Sequence, residues 1–576
     1  MMEKIVIGNR TFCVEGGAAD VNIVLKETYE RVEIYEIAVN FDSPRIPEKI
    51  KITTRDAGVD VYSTFDAAHK FRNNSFGGAG KFGSRLASWA PFAQTLSKTG
   101  KNCALYAMDD VMTPIAVSVK IDLDTLLVES ETVLFDAVTN PVKSYCVQMR
   151  IDRRRIDFDD AVADLYAWYE QKGLRPLPAP RKAFVPMYST WYSYLQNITA
   201  EDVVRECREA VKFVMKAVII DDGWQTDDAS VLYGYTGDWQ PSRKKFPDMK
   251  GLTDLLHEMG MAVILWFSVP FVGYYSRNYE RFKGKYLRNN DDINCSTLDP
   301  RFKEVRDFLV GTYVDAVKNW HLDGLKLDFI DRFYSNGVTS PGMDCASVEE
   351  ATRRLLEEIT GALKSVKNDI LIEFRQPYMG PVITSYGNMI RVWDCPLDPL
   401  SNRVGTLGLR LMCRHSAVHS DMISWTKEAS PENVAAALIS ALFAVPQISV
   451  RFKDVQSEQA AALDNYLKCR AKYADVIDGG KLKLFGPESN YSAAVAVKDG
   501  CMAAATFGTS AVDVGRAKNA VVFNVTSIAG TVIKNAGPFA YKVCDCCGSE
   551  VESGASPGGL TELKIPFAGR AELAAD

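Results

Sequence analysis

The chain has 576 residues, 47% of them hydrophobic and 24% charged, and a formal net charge of −6. So mild a negative balance, with no Lys/Arg cluster, argues against a nucleic-acid partner. No apolar run reaches the roughly 18–20 residues of a membrane span, and Met1 to Val14 lacks the apolar core of a signal peptide, so no membrane partner and a cytoplasmic location are expected.

The thirteen cysteines are scattered and odd in number, which fits reduced thiols rather than a disulfide framework. Cys544, Cys546 and Cys547 lack the matching second pair of a zinc site. With five histidines, neither a metal centre nor a cofactor is expected.

Residues 1–177 read as an N-terminal antiparallel β-sandwich. Short alternating strands are predicted at Lys4–Ile7, Val21–Leu25, Val32–Ile37, Ile115–Ile121, Thr132–Ala137 and Tyr145–Ile151. Turn residues separate some of them, as at Phe76-Gly-Gly-Ala-Gly-Lys81, and a helix over Phe158–Lys172 closes the region. The proline-rich stretch Arg175–Arg181 marks a boundary.

From 178 to 455 short apolar strands alternate with amphipathic helices. The strands are expected at Phe184–Tyr194, Ala217–Trp224, Ala262–Pro270, Gly324–Ile330, Ile370–Tyr378, Met389–Pro396, Met422–Thr426 and Gln447–Val450. Eight strands with helices between most of them predict a (β/α)8 TIM barrel. A doubly wound sheet competes, but no glycine-rich phosphate loop follows the first strand. Residues 456–576 return to alternation after a linking helix and predict a smaller C-terminal β-sandwich. The expected class is multidomain α/β, a central barrel flanked by two antiparallel sandwiches.

In such a barrel, functional groups gather at the C-terminal ends of the strands. Those ends carry Trp191, Asp221-Asp222-Gly223-Trp224, Trp266, Lys326-Leu-Asp328, Glu373-Phe-Arg375, Arg391-Val-Trp-Asp394 and, before the seventh strand, Asp421. Lys326 and Asp328 alternate onto one face of a buried strand, so the lysine should keep the carboxylate ionised. Each group has a bland reading: a turn or cap for Asp221-Asp222 and Asp394, core packing for Trp224 and Trp266, mutual neutralisation for Glu373 and Arg375. Their recurrence at one end instead suggests a cup of carboxylates and indoles suited to a sugar. If two carboxylates flank a glycosidic bond, Asp328 is the better nucleophile. Asp394, beside Trp393 in a setting expected to be apolar and to raise its pKa, is the better proton donor.

These motifs resemble those of the retaining α-galactosidase clan, glycoside hydrolase families 27 and 36, and most of all family 36. A nucleophilic aspartate on the fourth strand is shared with the α-glucosidase-type family 31. The resemblance implies Asp328 as nucleophile and Asp394 as acid/base, with Asp398 as a nearby rival. It implies that Asp221-Asp222 hold O4 and O6 of galactose, that Lys326 contacts ring hydroxyls, and that Trp191 and Trp266 face the sugar. Asp421 is similar to a pocket-wall carboxylate. The substrate implied is an α-galactoside oligosaccharide or glycan end, cleaved from its terminus with retention.

The family's cysteine- and glycine-rich loop after the fifth strand is replaced here by Glu373-Phe-Arg375-Gln-Pro-Tyr378, which leaves the preference at C2 open. An α-N-acetylgalactosaminidase and a raffinose- or stachyose-type galactosyl transferase are therefore carried as alternatives. So are an inactive sugar-binding protein and a metal-dependent hydrolase using His321, His415 or His419. Oligomeric state is open, with a homo-oligomer among the options.

Overall fold

The structure, a computed structural model, describes residues 2–58, 60–68, 72–73, 82–122 and 124–575. The glycine-rich turn expected at 76–81 lies outside these. Two antiparallel sheets, of six and seven strands, pack face to face in the N-terminal part. Phe12, Ile37, Ile52, Tyr106 and Met149 fill the space between them. Several strands had no expectation in the sequence. One of these, Arg10–Glu15, shows why: Arg10 is buried, ion-paired with Glu33 and Asp56, and its charge masks the alternation.

The central sheet has eight parallel strands: β1 (Met187–Ser189), β2 (Ala217–Ile220), β3 (Ala262–Ser268), β4 (Gly324–Asp328), β5 (Leu371–Arg375), β6 (Met389–Arg391), β7 (Ala417–His419) and β8 (Gln447–Ile448). They run in sequence order and β1 pairs with β8. A parallel bridge between His419 and Val445 brings β7 and β8 together, so the barrel is nearly closed. The strands are short and almost wholly buried, which is why they read as continuous apolar runs. Helix starts are fixed by side-chain caps at Thr199, Asp248, Ser347, Asp398 and Ser430.

Two expectations change, and one unexpected helix is added. The seventh strand is Ala417–His419, not Met422–Thr426, so Ser420 and Asp421 follow it rather than precede it. Two apolar residues ending in a buried histidine are too brief a signal to find. Helix Pro399–Met412 links β6 and β7, whereas the β5–β6 connection holds only a 3-10 turn, Ile383–Ser385. Lastly, the C-terminal sandwich, a seven-stranded sheet on a three-stranded one, is not wholly antiparallel. Cys501–Thr506 pairs in parallel with Asn519–Asn524, and Ala511–Asp513 with Gly530–Ala536. All thirteen cysteines are free thiols, and no described helix is long and apolar enough to cross a membrane.

The N-terminal sandwich reaches the mouth of the barrel. The Trp89 N–H donates to the Met379 carbonyl (2.6 Å) in the β5–β6 connection, and Arg85 Nη2 donates to the Asp331 carbonyl (3.2 Å) after β4. Gly380, at φ 153°, makes the first contact possible, because a β-carbon there would lie 2.3 Å from the Trp89 carbonyl oxygen. Gly380→Ala should therefore lower stability to denaturant by more than about 1 kcal/mol. An unchanged denaturation midpoint would show that this docking contributes nothing.

Candidate active site

The floor of the site is a buried charge network. Lys326 and Asp328 leave β4 on one face, as the strand period dictates, but Lys326 does not bond Asp328. Its Nζ donates to Asp221 Oδ2 (2.6 Å), just beyond β2. The direct counter-ion of Asp328 is Arg375, whose Nε donates to Oδ1 (2.8 Å). Glu373 and Arg375 do not neutralise each other either. Glu373 is enclosed in the barrel and accepts from Gln447 Nε2 (2.6 Å) on β8.

Asp328 accepts four hydrogen bonds. Oδ1 takes Arg375 Nε, Tyr378 Oη and the Phe329 N–H, each at 2.8 Å, while Oδ2 takes, among the described residues, only Trp266 Nε1 (3.1 Å). Phe329 has φ 68°, in the left-handed region that bulky residues rarely visit, and its N–H turns onto its neighbour's carboxylate. Burial alone would favour the neutral acid. The charges of Arg375 and then Lys326, with the Trp266 bond, outweigh it and hold Asp328 below the usual carboxylate range. The Arg375 guanidinium also lies over the rings of Phe329 (5.2 Å) and Tyr378 (5.5 Å).

Asp394 stands at the mouth beyond β6 with its side chain 48% exposed. Arg391 Nη2 donates to it (2.8 Å), and Arg391 Nη1 bonds Asp421. The expected apolar, pKa-raising setting is not found. What burial Asp394 has opposes its charge, but Arg391, Arg375 and Lys326 overwhelm that and hold the group well below the usual range. Asp328 and Asp394 each feel Arg375, and Asp394 raises Asp328, so the two carboxylates share one electrostatic field. Asp398 caps helix Pro399–Met412 through the Ser401 N–H (3.0 Å), so it is the carboxylate with a structural task.

Asp222 is buried and accepts from Gln196 Nε2 (2.8 Å) and Gln225 Nε2 (2.6 Å); burial pushes its carboxyl up to about 6. Asp421 is fully enclosed by Arg391, Tyr192 Oη (2.9 Å) and the Cys395 N–H (2.7 Å), which makes it a wall support rather than an open ligand. Trp191 opens the short helix after β1 and is partly exposed. Trp266 meets Asp328 through its indole N–H and stacks on Tyr233 (6.3 Å between centroids). Trp224 does not line the site. It is 0% exposed, packed by Trp239, Phe267 and Trp320, and its Nε1 bonds the Trp266 carbonyl (2.8 Å). The three histidines of the metal-hydrolase alternative have separate partners: His321 pairs with Asp254, His415 with Glu170, and buried His419 with the Ala183 carbonyl.

Tyr378, Tyr192, Tyr233, Gln196 and Gln225 take part without having been predicted. Tyr378 stands in the β5 motif, but only the folded loop aims its hydroxyl at Asp328.

The "Glycosyl hydrolases family 31 TIM-barrel domain" pattern matches residues 176–392. The chain is 26% identical over 179 residues to the A type blood α-D-galactosamine galactosaminidase of Flavonifractor plautii, covering 28% of this chain and 16% of that protein. It is 24% identical over 151 residues to the α-galactosidase AgaA of Geobacillus stearothermophilus, covering 25% and 20%. The matched stretches thus span about a fifth or less of these relatives. Among solved structures, the α-galactosidase of Lactobacillus brevis superposes with a TM-score of 0.65 at 13% identity, covering all of this chain and 83% of that one. The family 36 enzyme AgaA in complex with 1-deoxygalactonojirimycin gives 0.66 at 14% identity, covering 98% and 83%. The fold is that of the family 36 α-galactosidases, and the resemblance carried by the motifs holds over nearly the whole chain at the level of architecture.

Glu373 is, like Asp222, pushed up to about 6 by burial, against the pull of Lys326 and Arg391. The folded chain therefore holds the Glu373 proton over a window from about pH 4.5 to 6, and stability falls as pH rises through it. Glu373→Gln should match the parent protein near pH 4 and exceed it by about 2 kcal/mol at pH 7 in chemical denaturation. A variant no more stable at pH 7 would contradict this.

Proposed function

We propose that the protein is an exo-acting retaining α-galactoside hydrolase, with Asp328 as nucleophile and Asp394 as acid/base. The observation that carries the reading is the cradle around Asp328. Three donors hold Oδ1 and fix the carboxylate plane, while Oδ2 takes a single bond among the described residues, from Trp266. A carboxylate held charged, oriented and half-saturated suits attack on an anomeric carbon. Attack forms a C1–Oδ2 ester as the bond to the leaving oxygen breaks. Asp394 donates a proton to that oxygen, then takes one from the water that opens the ester.

The field at Asp394 makes it an ionised group in the open site, which suits its base role directly. The acid role follows from substrate binding. A sugar over the mouth strips water from a half-exposed carboxylate, and desolvation raises its pKa. Asp221 and Lys326, bonded to each other, and Asp222 with its two glutamines would meet the ring hydroxyls. The curated relatives and solved structures named α-galactosidases support the substrate class.

A second reading has its own observation: the relative from Flavonifractor plautii acts on a galactosamine. Side-by-side hydrolysis of aryl α-galactoside, α-galactosaminide and α-N-acetylgalactosaminide separates the two. A protein that leaves the aryl α-galactoside intact is not an α-galactosidase.

Asp394→Ala should lower kcat roughly 10²- to 10⁴-fold on a galactosyl disaccharide. The loss should be smaller on an aryl galactoside, whose leaving group needs less protonation. Equal losses on both would remove Asp394 from the acid role. In the parent protein NMR should show the α-anomer released first, and a β-anomer would refute the covalent ester.

A further inference from the structure

The connections after β2 and β3, which leave the strand ends that carry the site, bring an aromatic pair together at the surface. Tyr235 and Tyr275 are 45% and 61% exposed, yet their rings meet at 5.1 Å between centroids. Exposing two large rings forgoes their burial, and nothing in the fold requires it. The pair is held rather than loose. Tyr275 N–H donates to the Gly234 carbonyl (2.8 Å), and Gly273 N–H to the Thr236 carbonyl (2.8 Å). Two glycines allow this approach: a β-carbon on Gly273 would lie 2.2 Å from the Gly234 oxygen, and one on Gly234 would lie 2.7 Å from the Tyr275 ring. Strand Phe271–Gly273 belongs to a small antiparallel sheet, so Tyr275 issues from a braced edge.

This surface continues an aromatic run that begins in the pocket. Trp266 bonds Asp328 and stacks on Tyr233, and Tyr235 lies two residues on, at most roughly 7 Å of chain away. Pyranose rings present an apolar face to aromatic rings and keep their hydroxyls in water, which suits a half-exposed pair.

We propose that Tyr235 and Tyr275 form a platform for a sugar ring of the leaving group. The proposal rests on the glycosidase reading above.

The test compares the Tyr235→Ala/Tyr275→Ala and Tyr235→Phe/Tyr275→Phe proteins with the parent on α-galactosyl fluoride, whose leaving group has no ring, and on stachyose. The alanine variant should raise KM for stachyose roughly fivefold to tenfold with kcat kept, leave the fluoride unchanged, and be rescued by phenylalanine. Unchanged stachyose kinetics would overturn the proposal, as would equal losses on both substrates, which mark a structural role. Unchanged kinetics with altered sedimentation would assign the pair to contact between copies of the chain and overturn it too. If the parent protein cleaves neither substrate, the glycosidase reading fails by itself, and calorimetric titration with stachyose decides the platform. Binding weakened in the alanine variant supports it, and no binding by the parent refutes it.

Discussion

Everything at the mouth of this barrel depends on how three buried cations are shared among more carboxylates than they can neutralise. Lys326 serves Asp221, Arg375 serves Asp328, and Arg391 serves both Asp394 and Asp421 while lying 3.9 Å from Glu373. A buried charge without a close counter-ion is costly, so a carboxylate that lacks one is pushed toward the neutral form. The site therefore sorts its acids into two kinds. Asp328 and Asp394 are held charged, and Asp222 and Glu373 are pushed toward the neutral form. That division, rather than any single contact, is what separates acids that could do chemistry from acids that shape the pocket.

The scaffold delivers this sorting through strand ends and a few loop residues. β2, β4, β5 and β6 each place a charged group at one rim, and backbone geometry does the fine aiming. The left-handed Phe329 and the braced Tyr378 loop set the plane of the Asp328 carboxylate. Trp224 bonds the Trp266 backbone carbonyl, so a residue with no access to the pocket still anchors the strand that carries the indole.

Period and position made the barrel, its rim and most of the charged residues legible in the sequence. Alternation placed Lys326 and Asp328 on one face, and apolar runs located β2 to β5. What stayed hidden was partnership. A lysine two residues from an aspartate reads as its counter-ion, but its charge was spent on β2 across the barrel. Trp393 beside Asp394 suggested an apolar setting, but the decisive neighbour was Arg391, which a buried strand carries as quietly as a core residue. β7 escaped because Ala417-Val418-His419 is too short to show a period, and Arg10 hid a sandwich strand by being buried and charged.

The thin β5–β6 connection has a consequence for how the chain is assembled. Where a barrel helix would stand there is one 3-10 turn, and the segment carrying Tyr378 leans instead on Trp89 and on Leu177, whose N–H meets the Thr384 carbonyl (2.7 Å). Both supports are synthesised earlier than the segment they hold. The leading sandwich thus serves as a ready-made mould as the ribosome delivers residues 376–388. An insertion that swung it away would spare every barrel strand and still let the Asp328 cradle go slack.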